Sequence, residues 1–290
     1  MFLQQLVNGI TIGSLYSLVA LGLTMVYGIM RVLDIANAGA YVLGAYLGVW
    51  GYTHTHSLPV ALLAGVIGAA LVGYLFQRLI YTPVNRPDDP IVPLIASIGL
   101  FIVMEDLFRL IAGPWTLTFP ARLPFQRLAL GGVIVTGSQL TILATAAVLF
   151  LLLWLVLNKT KIGLGWQATA QDTETSMAMG INTRAVLAFA FGMGYAFSAI
   201  AGILVAVHHN AVFPTMGDIP SYKMLAIVVL GGLGNPLGAI LASMLIGLLE
   251  AFVGGYVGSS IPTDALAFMA LIVILLVRPQ GLFTSGGAAK

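Results

Sequence analysis

Asn158–Arg184 reads NKTKIGLGWQATAQDTETSMAMGINTR, with apolar runs on both sides, Leu140–Leu157 before it and Ala185–Val207 after it. An α-helix needs roughly 20 apolar residues to cross a bilayer, so this polar interlude reads as a loop between two spanning helices. Working outward, further apolar runs lie at Leu6–Tyr27, Ala36–Trp50, Pro59–Tyr81, Ile91–Ala112, Ser221–Gly231, Pro236–Tyr256 and Asp264–Val277. The expected fold class is all-α: a polytopic membrane helix bundle of about eight or nine transmembrane segments. It forms one domain over residues 1–290. Ala36–Trp50 and Ser221–Gly231 are too short to cross comfortably and are read as short or broken helices.

Composition supports this class. Of the 290 residues, 59% are hydrophobic and 8% charged, and mean hydropathy is +1.02; soluble domains carry about 25% charge. The net charge of +2 is too small to suggest nucleic acid. With no cysteine there is no disulfide framework and no thiolate metal site. MFLQQLVNGITIG lacks a basic start and runs directly into the first apolar stretch, so it is read as retained helix rather than a signal peptide.

Lys and Arg concentrate in cytoplasmic loops. Placing Arg278 and the C-terminal tail in the cytoplasm puts Lys159, Lys161, Arg184, Arg78, Arg86, Arg31 and Lys290 there too, while Arg109, Arg122, Arg127 and Lys223 fall at or near the outer side. Residues 158–184 become a cytoplasmic loop and 113–139 an outer loop, with TLTF and VIVT as its possible short strands.

Small residues recur four apart at Gly9, Gly13, Ser17; Gly65, Ala69, Gly73; Gly194, Ser198, Gly202; and Gly247, Ala251, Gly255. Together they predict close helix packing in lipid. Charged residues inside spans are functional candidates by default. Glu105, Asp106 and Arg109 neutralise one another on one helix face, and Glu250 is read as hydrogen-bonding between helices or snorkelling. His54 and His56 sit in an outer turn with no third metal ligand nearby.

Transporters build substrate paths from broken helices. Arg31, Asp34 and Asn37 interrupt an apolar run, with Arg31 and Asp34 spaced to pair, and are candidate pathway or gate residues. In LGGLGNPLG, Leu230–Gly238, the residues Gly231, Gly232, Gly234 and Asn235 either line the same pathway or form a plain turn, with Asn235 as N-cap and Pro236 at N1.

The chain has no GxxxxGK[ST] phosphate loop and no run of buried carboxylates to relay protons, so energy is expected from a partner. Gly163 and Gly165 break the preceding span. Trp166–Met179 makes about four helical turns with Gly180 at C′. Asp172 and Glu174 face water and Trp166, Ala170 and Met177 form a narrow apolar side, which suits a protein partner better than a membrane surface.

GLTMVYGIMRVLDIANAGAYVLGAY, ATAQDTETSMAMGIN, VVLGGLGNPLGAILASMLIGLLEAF and LLVRPQGLF occur in that order. They resemble the successive signatures of the branched-chain amino-acid type of ABC-transporter permease, in its shorter subunit. That resemblance implies a multi-pass protein of the bacterial inner membrane, not itself an enzyme and with no cofactor of its own. It implies a homologous second permease, two ATP-binding subunits that use ATP with Mg, a periplasmic solute-binding protein, and Trp166–Gly180 as the coupling helix. The family commonly has Asn-aromatic-Ala-His-Gly-Glu where Asp34–Gly39 reads DIANAG. Both the His and the Glu are missing, so the solute need not be leucine, isoleucine or valine: the resemblance implies a branched-chain or hydrophobic amino acid, with urea, short amides and aromatic or other organic acids as alternatives. A self-contained channel or ion-coupled carrier, with Asp34 relaying the ion, is the alternative class.

Overall fold

The computed structural model describes residues 1–84, 91–120, 127–130 and 133–256, together with Met269, Ile272, Leu276 and Leu282. Apart from those single positions, the expected span Asp264–Val277 lies outside the described residues, as do Arg86, Arg122, Arg278 and Lys290. The elements in order are α1 (Phe2–Met30), α2 (Asn37–Thr55), α3 (Leu58–Phe76), a π turn (Gln77–Tyr81), α4 (Thr82–Val84) and α5 (Ile91–Ala112). A hairpin, β1 (Arg127–Leu130) and β2 (Val133–Thr136), precedes α6 (Gly137–Lys159), α7 (Lys161–Gln171), α8 (Thr173–Ala178) and α9 (Thr183–His209). A 3-10 turn (Pro214–Gly217), α10 (Asp218–Gly231) and α11 (Pro236–Tyr256) follow.

Among the described residues the protein is an all-α bundle apart from that hairpin. Six helices among the described residues are long and apolar enough to span a membrane: α1, Leu58–Val84, α5, α6, α9 and α11. Of the eight or nine expected segments, the described residues hold these six long helices, with α2 and α10 as shorter ones. α2 is longer than its apolar run suggested, 19 residues ending at Thr55, because Gly51–Thr55 continues the helix beyond the hydrophobic stretch.

Burial sorts the helices by their composition. α1 and α9 are mostly buried, whereas α3, α5 and α6 present large apolar side chains outward: Leu63, Ile67 and Leu71 on α3, Ile95 and Ile102 on α5, Leu151 and Leu155 on α6. Stripes four or seven apart on an outer surface suit a lipid solvent. The opposite face of α3 buries Ala61, Gly65, Ala69 and Gly73. The other small-residue rows make similar close approaches. A Cβ on Gly13 would stand 2.8 Å from the Met244 Cα, joining α1 to α11, and one on Gly202 would collide with the Tyr41 carbonyl, joining α9 to α2.

At one end of the bundle, Gln4 exchanges hydrogen bonds with the Ile134 backbone (2.9 and 3.0 Å), and Thr136 and Gln139 form a capping box that starts α6. VIVT is a strand, paired with Arg127–Leu130; TLTF is not, and within it Leu117 makes a single bridge to Val212 beyond α9. α7 and α8 lie at the other end.

Candidate functional site

The polar interlude folds as two helices rather than one of four turns. Thr160 ends α6, and its hydroxyl accepts from the Gly163 N–H (3.1 Å) to start α7. The break expected at Gly163 and Gly165 therefore falls at Thr160, and both glycines are buried within α7. A second break falls at Asp172, whose carboxylate accepts from the Glu174 and Thr175 N–H groups (2.9 and 3.2 Å) and from the Thr175 hydroxyl (2.5 Å). Those bonds, that from the Thr175 hydroxyl foremost, hold the Asp172 carboxyl below its ordinary range. The cap therefore stabilises α8 at neutral pH and is lost only as pH falls through that lowered value. Gly180, at φ +82°, follows the end of α8.

The break separates residues expected on one side. Trp166 is buried, and its indole N–H donates to the Met25 carbonyl (3.0 Å), so α7 is pinned to the last turns of α1. Ala170 is half-buried, Asp172 and Glu174 are exposed, and Met177 and Met179 point outward at 52% and 79% exposure. One face holds the bundle, and the other leaves Met177 and Met179 bare beside the exposed Asp172 and Glu174.

At that same end α1 stops at Arg31, which takes the left-handed conformation (φ 53°). The chain then turns back into the bundle without helix. Asn37, the first residue of α2, reaches the Val19 carbonyl (3.5 Å), about three turns back along α1 from Met30. Ser97 of α5 braces the re-entrant stretch, its hydroxyl bonding the Leu33 carbonyl (3.2 Å) and the Ile35 N–H (3.3 Å). Asp34 is fully buried and accepts from the Tyr81 hydroxyl, which the π turn carries inward. Arg31 is exposed, so the ion pair its spacing to Asp34 allowed does not form; the helix ends between them.

Gly231–Asn235 is a turn. Gly232 and Gly234 have positive φ (94° and 81°), Asn235 caps α11 by accepting from the Gly238 N–H (3.2 Å), and Pro236 is its first residue. The turn rests on α1, where a Cβ on Gly234 would lie 3.3 Å from the Gly28 Cα; a Cβ on Gly28 would lie 2.5 Å from the Trp166 ring. The two sequence-predicted groups therefore meet across the last turns of α1.

Removing the Asp34 carboxylate leaves the buried Tyr81 hydroxyl without its acceptor, a cost of about 1–3 kcal/mol. Glu105 pairs with a half-exposed Arg109 that also holds Asp106 (3.1 Å), and such surface pairs contribute about 0–1 kcal/mol. Asp34→Ala is therefore expected to lower transport more than Glu105→Ala in a side-by-side uptake assay. Equal, negligible effects would remove Asp34 from the working parts.

A further cluster was not read from the sequence as a unit. Lys223, expected near the outer side, is 3% exposed and pairs with Glu250 (2.9 Å), itself 5% exposed. The Tyr16 hydroxyl donates to Glu250 (2.7 Å) and accepts from Lys223 (2.7 Å). The triad borders a cavity of about 550 Å³ between α1, α9, α10 and α11. A second cavity of about 440 Å³ shares Thr11, Ile12, His208 and Glu250 with it and reaches Gln5 and Gly255. Neither cavity touches Asp34.

The model of the family described as branched-chain amino acid transport system, permease component, matches residues 5–277. The chain is 32% identical to the high-affinity branched-chain amino acid transport system permease protein BraD of Pseudomonas aeruginosa, covering 97% of this chain and 95% of that one. It is 30% identical to LivH of Escherichia coli over the same shares of each. To LivM of the same bacterium it is 27% identical, covering 94% of this chain but 68% of that longer one. A solved structure of PsaBC from Streptococcus pneumoniae in complex with Fab has a similar fold (TM-score 0.52, 13% identity, 96% of this chain and 92% of that one). With its multi-pass bundle, and in the length class of BraD and LivH, this chain belongs to the family of branched-chain amino acid transport system permease components.

Proposed function

We propose that this chain is one of two homologous permeases in an ATP-driven importer of branched-chain or other hydrophobic amino acids in the bacterial inner membrane. Residues 158–184 then face the cytoplasm, where two ATP-binding subunits, using ATP with Mg, dock on α7 and α8. A periplasmic binding protein delivers solute at the hairpin end, and the second permease, of the LivM type, completes the pathway. The observation that carries this reading is the two-sided arm at α7–α8: Trp166 holds the Met25 carbonyl on one side, and Met177 and Met179 lie bare on the other.

The mechanism follows from what Trp166 touches. A push on α8 reaches Gly28 and Met25 through the indole, and Gly28 also carries the Gly234 turn. Movement of the arm therefore tilts the end of α1 and the α10–α11 hairpin together, so the bundle opens alternately to each side. In proteoliposomes containing both permeases and the ATPases, with binding protein and leucine added on the binding-protein side, uptake is expected to require ATP on the ATPase side. Uptake that persists without the ATPase subunits would overturn the importer reading in favour of a channel or ion-coupled carrier.

A further inference from the structure

We infer that the cavity bordered by Tyr16, Lys223 and Glu250 is a transit binding site for a zwitterionic amino acid with an apolar side chain. The inference rests on the importer reading and assigns residues to its path. Burying two charges in a bundle costs several kcal/mol per ion unless geometry repays it, and here the pair borders open volume instead of being packed shut on all sides. A volume of about 550 Å³ falls within the roughly 300–1,000 Å³ of small-molecule sites.

The charges dictate the ligand class. A solute lying antiparallel to the pair places its ammonium on Glu250 and its carboxylate on Lys223, with the Tyr16 hydroxyl offering a neutral donor and acceptor between them. Every charge is then matched and the net charge of the site is unchanged. A simple cation or anion satisfies one side chain and leaves the other facing an uncompensated charge in a low dielectric. Beyond Thr11, His208 and His209 the wall is largely apolar, with Leu15 and Val19 from α1 and Met224 and Ile227 from α10, all nearly fully buried. That apolar part suits an aliphatic side chain. The second cavity, joined through Thr11, Ile12, His208 and Glu250, extends the site toward the hairpin end, where the binding protein is proposed to dock.

The test uses the complete transporter in proteoliposomes with radiolabelled leucine. A single substitution strands a buried charge, so the informative variant is the volume-matched K223M/E250L, since apolar replacement of a buried ion pair is often neutral for stability. The double variant is expected to assemble and hydrolyse ATP but to lose leucine uptake by about tenfold or more, the equivalent of roughly 1.4 kcal/mol. Wild-type uptake by it would show that the pair only supports the fold and would overturn the site. Independently of any variant, a diazirine analogue of leucine photolysed during turnover of the unaltered transporter is expected to label Thr11–Val19 or Met216–Ile227. Label found in neither segment overturns the site whatever the double variant does. No leucine uptake by the unaltered transporter would overturn the importer reading, and the site with it.

Discussion

Met177→Glu is expected to abolish uptake while leaving the permease inserted and folded. Met177 is 52% exposed and α8 keeps its Asp172 cap in the variant, so little in the fold depends on the thioether. On the proposed docking that side chain would enter an apolar contact with the ATPase, where a carboxylate would be desolvated without a partner. Central interface residues contribute about 2 kcal/mol or more, which corresponds to roughly a 30-fold loss of docking affinity. Pull-down of the ATPase subunits and ATP-driven uptake should fall together, with unchanged yield and thermal stability. Normal uptake by the variant would remove Met177 from the docking surface.

The largest effect on the fold is expected from Gly202→Val. α9 crosses α2 so closely there that a Cβ meets the Tyr41 carbonyl oxygen and carbon, both backbone atoms that no rotamer change can move. Overpacking costs about 1–3 kcal/mol when side chains can adjust, and this contact belongs at or above the upper end. α2 would be forced off α9, and with it the re-entrant stretch carrying Asp34 and Asn37. Gly99→Ala on α5 is the control, since nothing lies within 4 Å of the added carbon and an exposed helical Gly→Ala gains about 1 kcal/mol. Thermal unfolding in detergent should show a large downward shift for the first and none or a small rise for the second.

What was legible in the sequence followed periodicity and polarity. Long apolar runs announced the bundle, the four-residue spacing of Gly65, Ala69 and Gly73 marked the buried face of α3, and Asn235-Pro236 after glycines carried a capping signature that the turn displays. The errors arose where a local rule met a chain that was no longer helical. Arg31 and Asp34 have helical pairing distance only if α1 continues, and it ends at Arg31. Asp172 reads as a polar face residue of one continuous helix, although Asp followed by Thr-Glu-Thr is also a favoured N-cap, and that competing role splits the helix there. The Tyr16–Lys223–Glu250 triad was invisible for a different reason. Its members stand 27, 207 and 234 positions apart, so only the meeting of α1, α10 and α11 joins them.

The central claim is that the α7–α8 end, and not the hairpin end, receives the ATPase. The chain has no cysteine, so one can be placed at will. Met177→Cys and Trp115→Cys put a thiol at exposed positions of 52% and 74% at opposite ends. Treated with a short bifunctional thiol reagent in assembled transporter, Met177→Cys is expected to capture an ATP-binding subunit and Trp115→Cys none. Capture from Trp115→Cys with none from Met177→Cys would contradict the account.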